Sequence, residues 1–214
     1  MTEDYLTPEL PRSVLLTIDL QRDFLDGAPF EIAGTTAVLP NVIRVLEAYR
    51  GAGLPIVHVV RLYVPGGEDV DLPRRSAVEG GLNIVAPHTT GSQLADGLLR
   101  AHVDLDSPAL LRGALQSVGP SEWILYKPRW GAFYRTALNE FLSKRNISTV
   151  VVAGCNLPNC PRATLFEASE RDYRTVVVED AVSQVSDERL ADLISIGVAQ
   201  LRTADLVTSV FRLA

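Results

Sequence analysis

The stretch Thr149-Val-Val-Val-Ala-Gly-Cys-Asn-Leu-Pro-Asn-Cys160-Pro-Arg-Ala-Thr-Leu-Phe-Glu-Ala168 decides how this chain is read. Its first six residues form a nearly continuous apolar run of strand length. A stiff polar turn follows, and apolar residues then return at helical spacing at Ala163, Phe166 and Ala168. An apolar run without polar alternation suits a parallel strand covered on both faces. Similar runs stand at Ser13 to Asp19, Pro55 to Val60, Trp123 to Tyr126 and Arg174 to Asp180, with a shorter one near Gln200 to Arg202. Helical stripes lie between them. Val38, Val42, Val45, Leu46 and Tyr49 form one, closed by Gly51 and Gly53. Leu138, Phe141 and Leu142 form another, and Leu190, Leu193, Ile194 and Val198 a third. Strand then helix, repeated, gives a parallel sheet with right-handed crossovers. The expectation is one α/β domain over residues 1–214, three-layered and doubly wound. It has a six-stranded, mostly parallel sheet with helices on both faces. Residues 1–11 read as a loose arm, and 62–90 and 101–121 as irregular.

The totals narrow the function. Among 214 residues, 47% are apolar and 21% charged, and the net charge is -6, with a pI near 5.1. This balance is poor for phosphate backbones, so nucleic acid is not an expected partner. No apolar run approaches the ~20 residues of a membrane helix, and the acidic start lacks the features of a secretory signal. A cytoplasmic protein acting on a small molecule is expected. Two cysteines, Cys155 and Cys160, are too few for a disulfide scaffold, and without nearby His they make a poor zinc site.

In open α/β sheets ligands bind beyond the carboxyl ends of the strands. That rule nominates Asp19, Arg61, Lys127, the segment Cys155 to Cys160, and Asp180. Cys160 opens a helix, where unpaired N–H groups and the helix dipole favour a thiolate, and a nearby lysine would lower its pKa further. A carboxylate would serve as general base. Each residue alone has a plainer reading. Cys160 is a small buried apolar group, Asp19 a cap or salt-bridge partner, Lys127 a solvated surface lysine, and Asp180 an anchor for a strand end.

Together the motifs resemble those of the isochorismatase-like cysteine hydrolases, over about Val14 to Val207. That family includes nicotinamidases, carbamoylsarcosine amidohydrolases and ureidoacrylate hydrolases. Its D-x-Q-x-D-F appears as Asp19-Leu-Gln21-Arg-Asp23-Phe24. Its K-x-x-x-S-A-F appears as Lys127-Pro-Arg-Trp-Gly131-Ala132-Phe133, with Gly in place of Ser. Its cysteine motif appears from Gly154 to Thr164, with Leu157, Pro158 and Pro161 departing from the usual residues.

The resemblance implies a thioester route for cleaving a C–N bond in a small amide, ureide or carbamoyl compound. Cys160 would be the nucleophile and Asp19 the base. Lys127 would stabilise the thiolate and orient Asp19. A non-proline cis peptide would fall at Cys155–Asn156, and the N–H groups of Asn156 and Cys160 would form the oxyanion hole. Phe24, Arg61, Trp130 and Asn159 are expected to bind substrate. Phe133 reads as core, while Arg129, Arg162 and His88 are further candidates for substrate contact. No D-x-H pair is present among His58, His88 and His102, so no metal and no cofactor are expected. The resemblance also implies a homodimer or homotetramer. Two alternatives stand beside this one. A vinyl-ether hydrolase of the isochorismatase type would need no thiol, and a silent binding subunit would need none of the three residues.

Overall fold

A computed structural model describes residues 4–67 and 69–213. Seven strands form one sheet: β1 (Ser13–Ile18), β2 (Ile56–Val60), β3 (Gln116–Gly119), β4 (Glu122–Tyr126), β5 (Thr149–Gly154), β6 (Arg174–Val182) and β7 (Ala199–Leu201). The spatial order is β3-β4-β2-β1-β5-β6-β7. All neighbours are parallel except β3, which pairs antiparallel with β4. The sheet therefore has one strand more than the six expected. The extra strand is Gln-Ser-Val-Gly, four residues on an edge that carry no apolar run to betray them.

Among the described residues the α-helices are α1 (Thr35–Gly51), α2 (Leu72–Glu79), α3 (Ser107–Leu111), α4 (Leu138–Ser143), α5 (Cys160–Ser169), α6 (Asp187–Ser195) and α7 (Thr203–Phe211). Short helices α2 and α3 fall in stretches expected to be irregular. Each opens with Pro in its first turn, where the missing N–H costs nothing. The arm is tied down from Glu9 onward. The Glu9 amide donates to Thr149 Oγ1 at 2.9 Å, and its carboxylate accepts from Ser148 Oγ at 2.5 Å.

Alternate residues of the central strands feed two cores. Leu15, Val60, Ile124, Val151 and Val176 pack with Val42, Val45, Leu46 and Tyr49 of α1 and with Leu206 and Val210 of α7. Leu16, Ile18, Val57, Val59, Val150 and Val152 pack with α4, α5 and α6 through Leu138, Leu142, Leu165, Ala168, Leu190 and Leu193. Burying such a side chain stabilises by ~1.5–3 kcal/mol. The two faces together fix the register, because a slip of one residue would exchange the cores. Among the described residues no helix is long and apolar enough to cross a membrane.

Candidate active site

Strand register brings the functional side chains to one rim. Ile18 pairs with Val59 and with Gly154, and Val60 pairs with Tyr126. The next residues, Asp19, Arg61, Lys127 and Cys155, thus leave the sheet side by side. Their backbones stay bonded to it. The Asp19 amide donates to Val59 O at 2.9 Å, the Lys127 amide to Val60 O at 3.0 Å and the Cys155 amide to Ile18 O at 2.9 Å. Gly154 allows this closeness. At φ +122°, a Cβ there would sit 2.3 Å from Ile18 O, so a side chain would part β5 from β1.

Asp19 adopts φ +53°, an uncommon conformation for a non-glycine residue that often marks functional sites. Lys127 is completely buried and its Nζ donates to Asp19 Oδ2 at 2.9 Å. A buried ammonium persists only when paired. Asp19 Oδ1 is also buried and has no hydrogen-bond partner.

Cys160 begins α5, with Pro161 in the first turn. It lines the same cavity as Asp19, whose carboxylate acts on the thiol. Burial, followed by the Asp19 carboxylate, pushes the thiol up to about 12, against the opposing pull of Lys127 and Arg61. The expected thiolate is therefore corrected to a resting protonated thiol. The lysine charge is already matched by Asp19, which lies between it and the sulfur in the sheet order, and burial disfavours the charged form of the thiol.

The Cys155–Asn156 peptide is cis. Among the described residues the amides of Asn156 and Cys160 have no acceptor. The Asn156 side chain donates to Gln184 Oε1 at 2.7 Å. Thr164 joins the cysteine helix to the lysine loop: its hydroxyl donates to Cys160 O at 2.8 Å and accepts from the Ala132 amide at 3.1 Å. Glycine at 131 has a local cause, since a Cβ there would lie 2.1 Å from the Glu167 carboxylate, which accepts from the Phe133 amide.

The first motif supplies two supports whose roles the sequence did not assign. Gln21, fully buried, accepts from the Arg61 amide at 2.8 Å and donates to Arg61 O at 2.8 Å and Ser92 O at 2.7 Å. Asp23 accepts from the Val85 amide at 2.7 Å and lies where a Cβ on Gly91 would be. Gln21 thus fixes the start of the loop after β2, and Asp23 holds the segment near His88.

Arg61 is 3% exposed. Its Nη2 donates to Tyr63 Oη at 2.7 Å and bonds Asp71, which also accepts from Tyr63 Oη at 2.8 Å and from Trp130 Nε1 at 3.4 Å. Burial raises the Asp71 carboxyl, but Arg61 and these donors bring it below its ordinary value. Burial disfavours the Arg61 charge too, yet Tyr63, Asp19, Asp71 and Cys160 leave its pKa raised.

A cavity of ≈ 30 Å³ is lined by Asp19, Phe24, Arg61, Trp130, Asn156, Asn159 and Cys160, with Ile32, Tyr63, Arg74 and Cys155 completing the wall. The structure thus brings Phe24, Arg61, Trp130 and Asn159 together beside the thiol. Trp130 is 40% exposed and forms part of the rim. Other candidates lie elsewhere. Phe133 is core, against Tyr173. Arg129 pairs with Asp69 and Arg162 with Asp192. His88 lines a separate surface groove with Arg22 and His102. Asp180 accepts from the Thr203 amide and hydroxyl and so caps α7. Arg74 is a wall residue that sequence reasoning missed, because it sits in a stretch read as irregular.

A zinc site of the kind nicotinamidases use does not fit these residues. His58 is buried between Thr17 and Glu122, bonded at 2.7 Å to each, while His88 and His102 face the surface groove. Among the described residues no group of three or more His, Cys, Asp or Glu could hold a metal ion.

Comparison with known proteins gives a consistent relationship. The chain is 34% identical over 193 residues to a protein of Arabidopsis thaliana named as a probable inactive nicotinamidase, covering 87% of this chain and 90% of that one. It is 27% identical over 191 residues to a ureidoacrylate amidohydrolase of Methylobacterium radiotolerans, covering 82% and 69%. The crystal structure of an isochorismatase family protein from Desulfovibrio vulgaris superposes with a TM-score of 0.79 at 28% identity, covering 94% and 99%. The family model for the isochorismatase domain matches residues 13–209, and the chain belongs to that family.

Proposed function

We propose that this chain is a cysteine hydrolase that cleaves a C–N bond of a small amide, ureide or carbamoyl compound through a thioester. The observation that carries this reading is the meeting of a thiol, a carboxylate and a fully buried ammonium at one rim of the sheet. Amidohydrolase relatives support it.

In the proposed reaction Asp19 Oδ1, which has no hydrogen-bond partner among the described residues, takes the Cys160 proton as sulfur adds to the substrate carbonyl. Proton transfer coupled to attack suits a thiol that rests protonated, because no free thiolate has to form in the buried site. Lys127 holds Oδ2 and keeps Asp19 oriented. The Asn156 and Cys160 amides receive the oxyanion; losing one such donor typically costs ~10²–10³ in rate. Asp19 returns the proton to the departing nitrogen, and ammonia or an amine leaves. Water then attacks the thioester as Asp19 takes its proton, and the acid and free thiol are released. Phe24, Trp130 and Asn159 wall the substrate and Arg61 anchors it. The chain works as a homodimer or homotetramer, which light scattering would check.

Ammonia release across nicotinamide, pyrazinamide, ureides, carbamoyl amino acids, maleamate and aryl amides tests the reading. At least one class is turned over, and Cys160→Ala loses several orders of magnitude in rate. The name of the Arabidopsis relative gives the silent reading its standing, and inertness toward the whole panel together with an unreactive Cys160 would favour it. A vinyl-ether hydrolase would keep its rate in Cys160→Ala.

A further inference from the structure

We infer that the cavity receives a carboxylate, so that the substrate is a short monoanionic acid bearing the scissile amide, with Arg61 and Arg74 as the groups that recognise it. This rests on the hydrolase reading above and adds the charge class of the substrate.

Arg61 is nearly all buried, yet its Nη1 has no partner among the described residues, while Nη2 is held by Asp71 and Tyr63. Its backbone is pinned on both sides by Gln21. The guanidinium is thus oriented in advance, with one arm fixed and the other free in a residue that walls the cavity. A buried donor of this kind wants an acceptor, and a guanidinium wants a charged one. Asp71 meets Nη2 and not Nη1: its Oδ1 accepts from Arg61 Nη2 and Tyr63 Oη, and its Oδ2 from Trp130 Nε1. Arg74 lies on the same wall, and its side chain has no hydrogen bond or ion pair with any described residue.

The charges give the sign. Lys127 balances Asp19 and Arg61 balances Asp71, and among the described residues Arg74 has no carboxylate paired with it. Counted over the described residues, the site carries one net positive charge, in a chain of net charge -6. One surplus charge suits a carboxylate better than a near-dianionic phosphate, and the small cavity favours a short acid. A neutral amide would offer Nη1 only an uncharged acceptor, which makes the weaker bond.

Two alkylating reagents that differ only in this charge test the idea. Iodoacetate and iodoacetamide are compared for their rates at Cys160, located by peptide mass, with glutathione as the reference thiol. Relative to glutathione, the enzyme is expected to favour iodoacetate by roughly tenfold, the scale of one charge-assisted bond. Arg61→Gln and Arg74→Gln each reduce that preference. Arg74 is on the rim, so its variant stays informative if the Arg61 variant fails to fold. Hydrolysis follows the same order, with succinamate turned over faster than butanamide. Reaction with both reagents at the glutathione ratio overturns the anion site and leaves the hydrolase reading standing. If Cys160 is inert to both, hydrolysis decides: succinamate turned over no faster than butanamide overturns the anion site, and no ammonia release across the whole panel removes the hydrolase reading with it.

Discussion

Replacing Lys127 by Met removes one charge of a buried pair and keeps most of the side-chain volume, so the change isolates electrostatics from packing. The ammonium stands 2.9 Å from Asp19 Oδ2, with side chains 0% and 5% exposed. At an effective dielectric of 20 that distance corresponds to about 6 kcal/mol of gross attraction. The variant also escapes the cost of desolvating the ammonium, so the net loss is smaller. Breaking a buried pair by removing one partner typically costs about 3–5 kcal/mol. Arg61 also acts on Asp19 through space and takes up part of the lost field, which favours the lower end. Against a total stability of about 5–15 kcal/mol, the loss is large but measurable. Urea unfolding near neutral pH should show a lower midpoint with an unchanged slope. Asp19→Asn, which leaves the lysine unpaired, should cost a similar amount. The double variant, with neither charge, should fall well short of the sum. A Lys127→Met protein within about 1 kcal/mol of wild type, or a strictly additive double variant, would refute the tight buried pair.

Gly154→Ala places a methyl group 2.3 Å from Ile18 O and should cost about 3 kcal/mol or more in urea unfolding; a loss under about 1 kcal/mol would contradict the strand contact. Gln21→Ala strands an amide and two carbonyls around Arg61 and should cost about 3 kcal/mol, with a larger fall in activity than in folded fraction. The Cys160 thiol is raised from 9.0 to about 12. Ultraviolet difference spectra against Cys160→Ala should therefore show no thiolate near neutral pH. The signal should grow only as pH rises toward that upper value. The sign for stability follows: the advantage of the protonated thiol is complete below 9.0 and is lost as pH climbs to about 12. A thiolate band at neutral pH would overturn this.

Much of the fold was legible because parallel strands covered on both faces write themselves as continuous apolar runs, as in Thr149–Gly154. β3 was not, since an exposed edge strand needs no such run. α7 also passed unread, although Leu206 and Val210 sit at helical spacing. For the site, strand ends sufficed to nominate Asp19, Arg61, Lys127 and Cys160, because parallel register places them in one row. What failed was the sense of the thiol shift. The lysine and the helix start are visible in sequence, whereas the depth of burial and the order in which charges face the sulfur are three-dimensional. The same limit hid the work of Gln21 and Asp23, whose partners lie 40 to 71 and 62 residues away.

In the proposed reaction Cys160 becomes acylated during turnover. Acid quenching of the enzyme with any amide that yields ammonia, followed by peptide mass spectrometry, tests it most directly. The account predicts an added acyl mass on the peptide carrying Cys160, lost together with ammonia release in Cys160→Ala. Ammonia release at the wild-type rate by Cys160→Ala would contradict it.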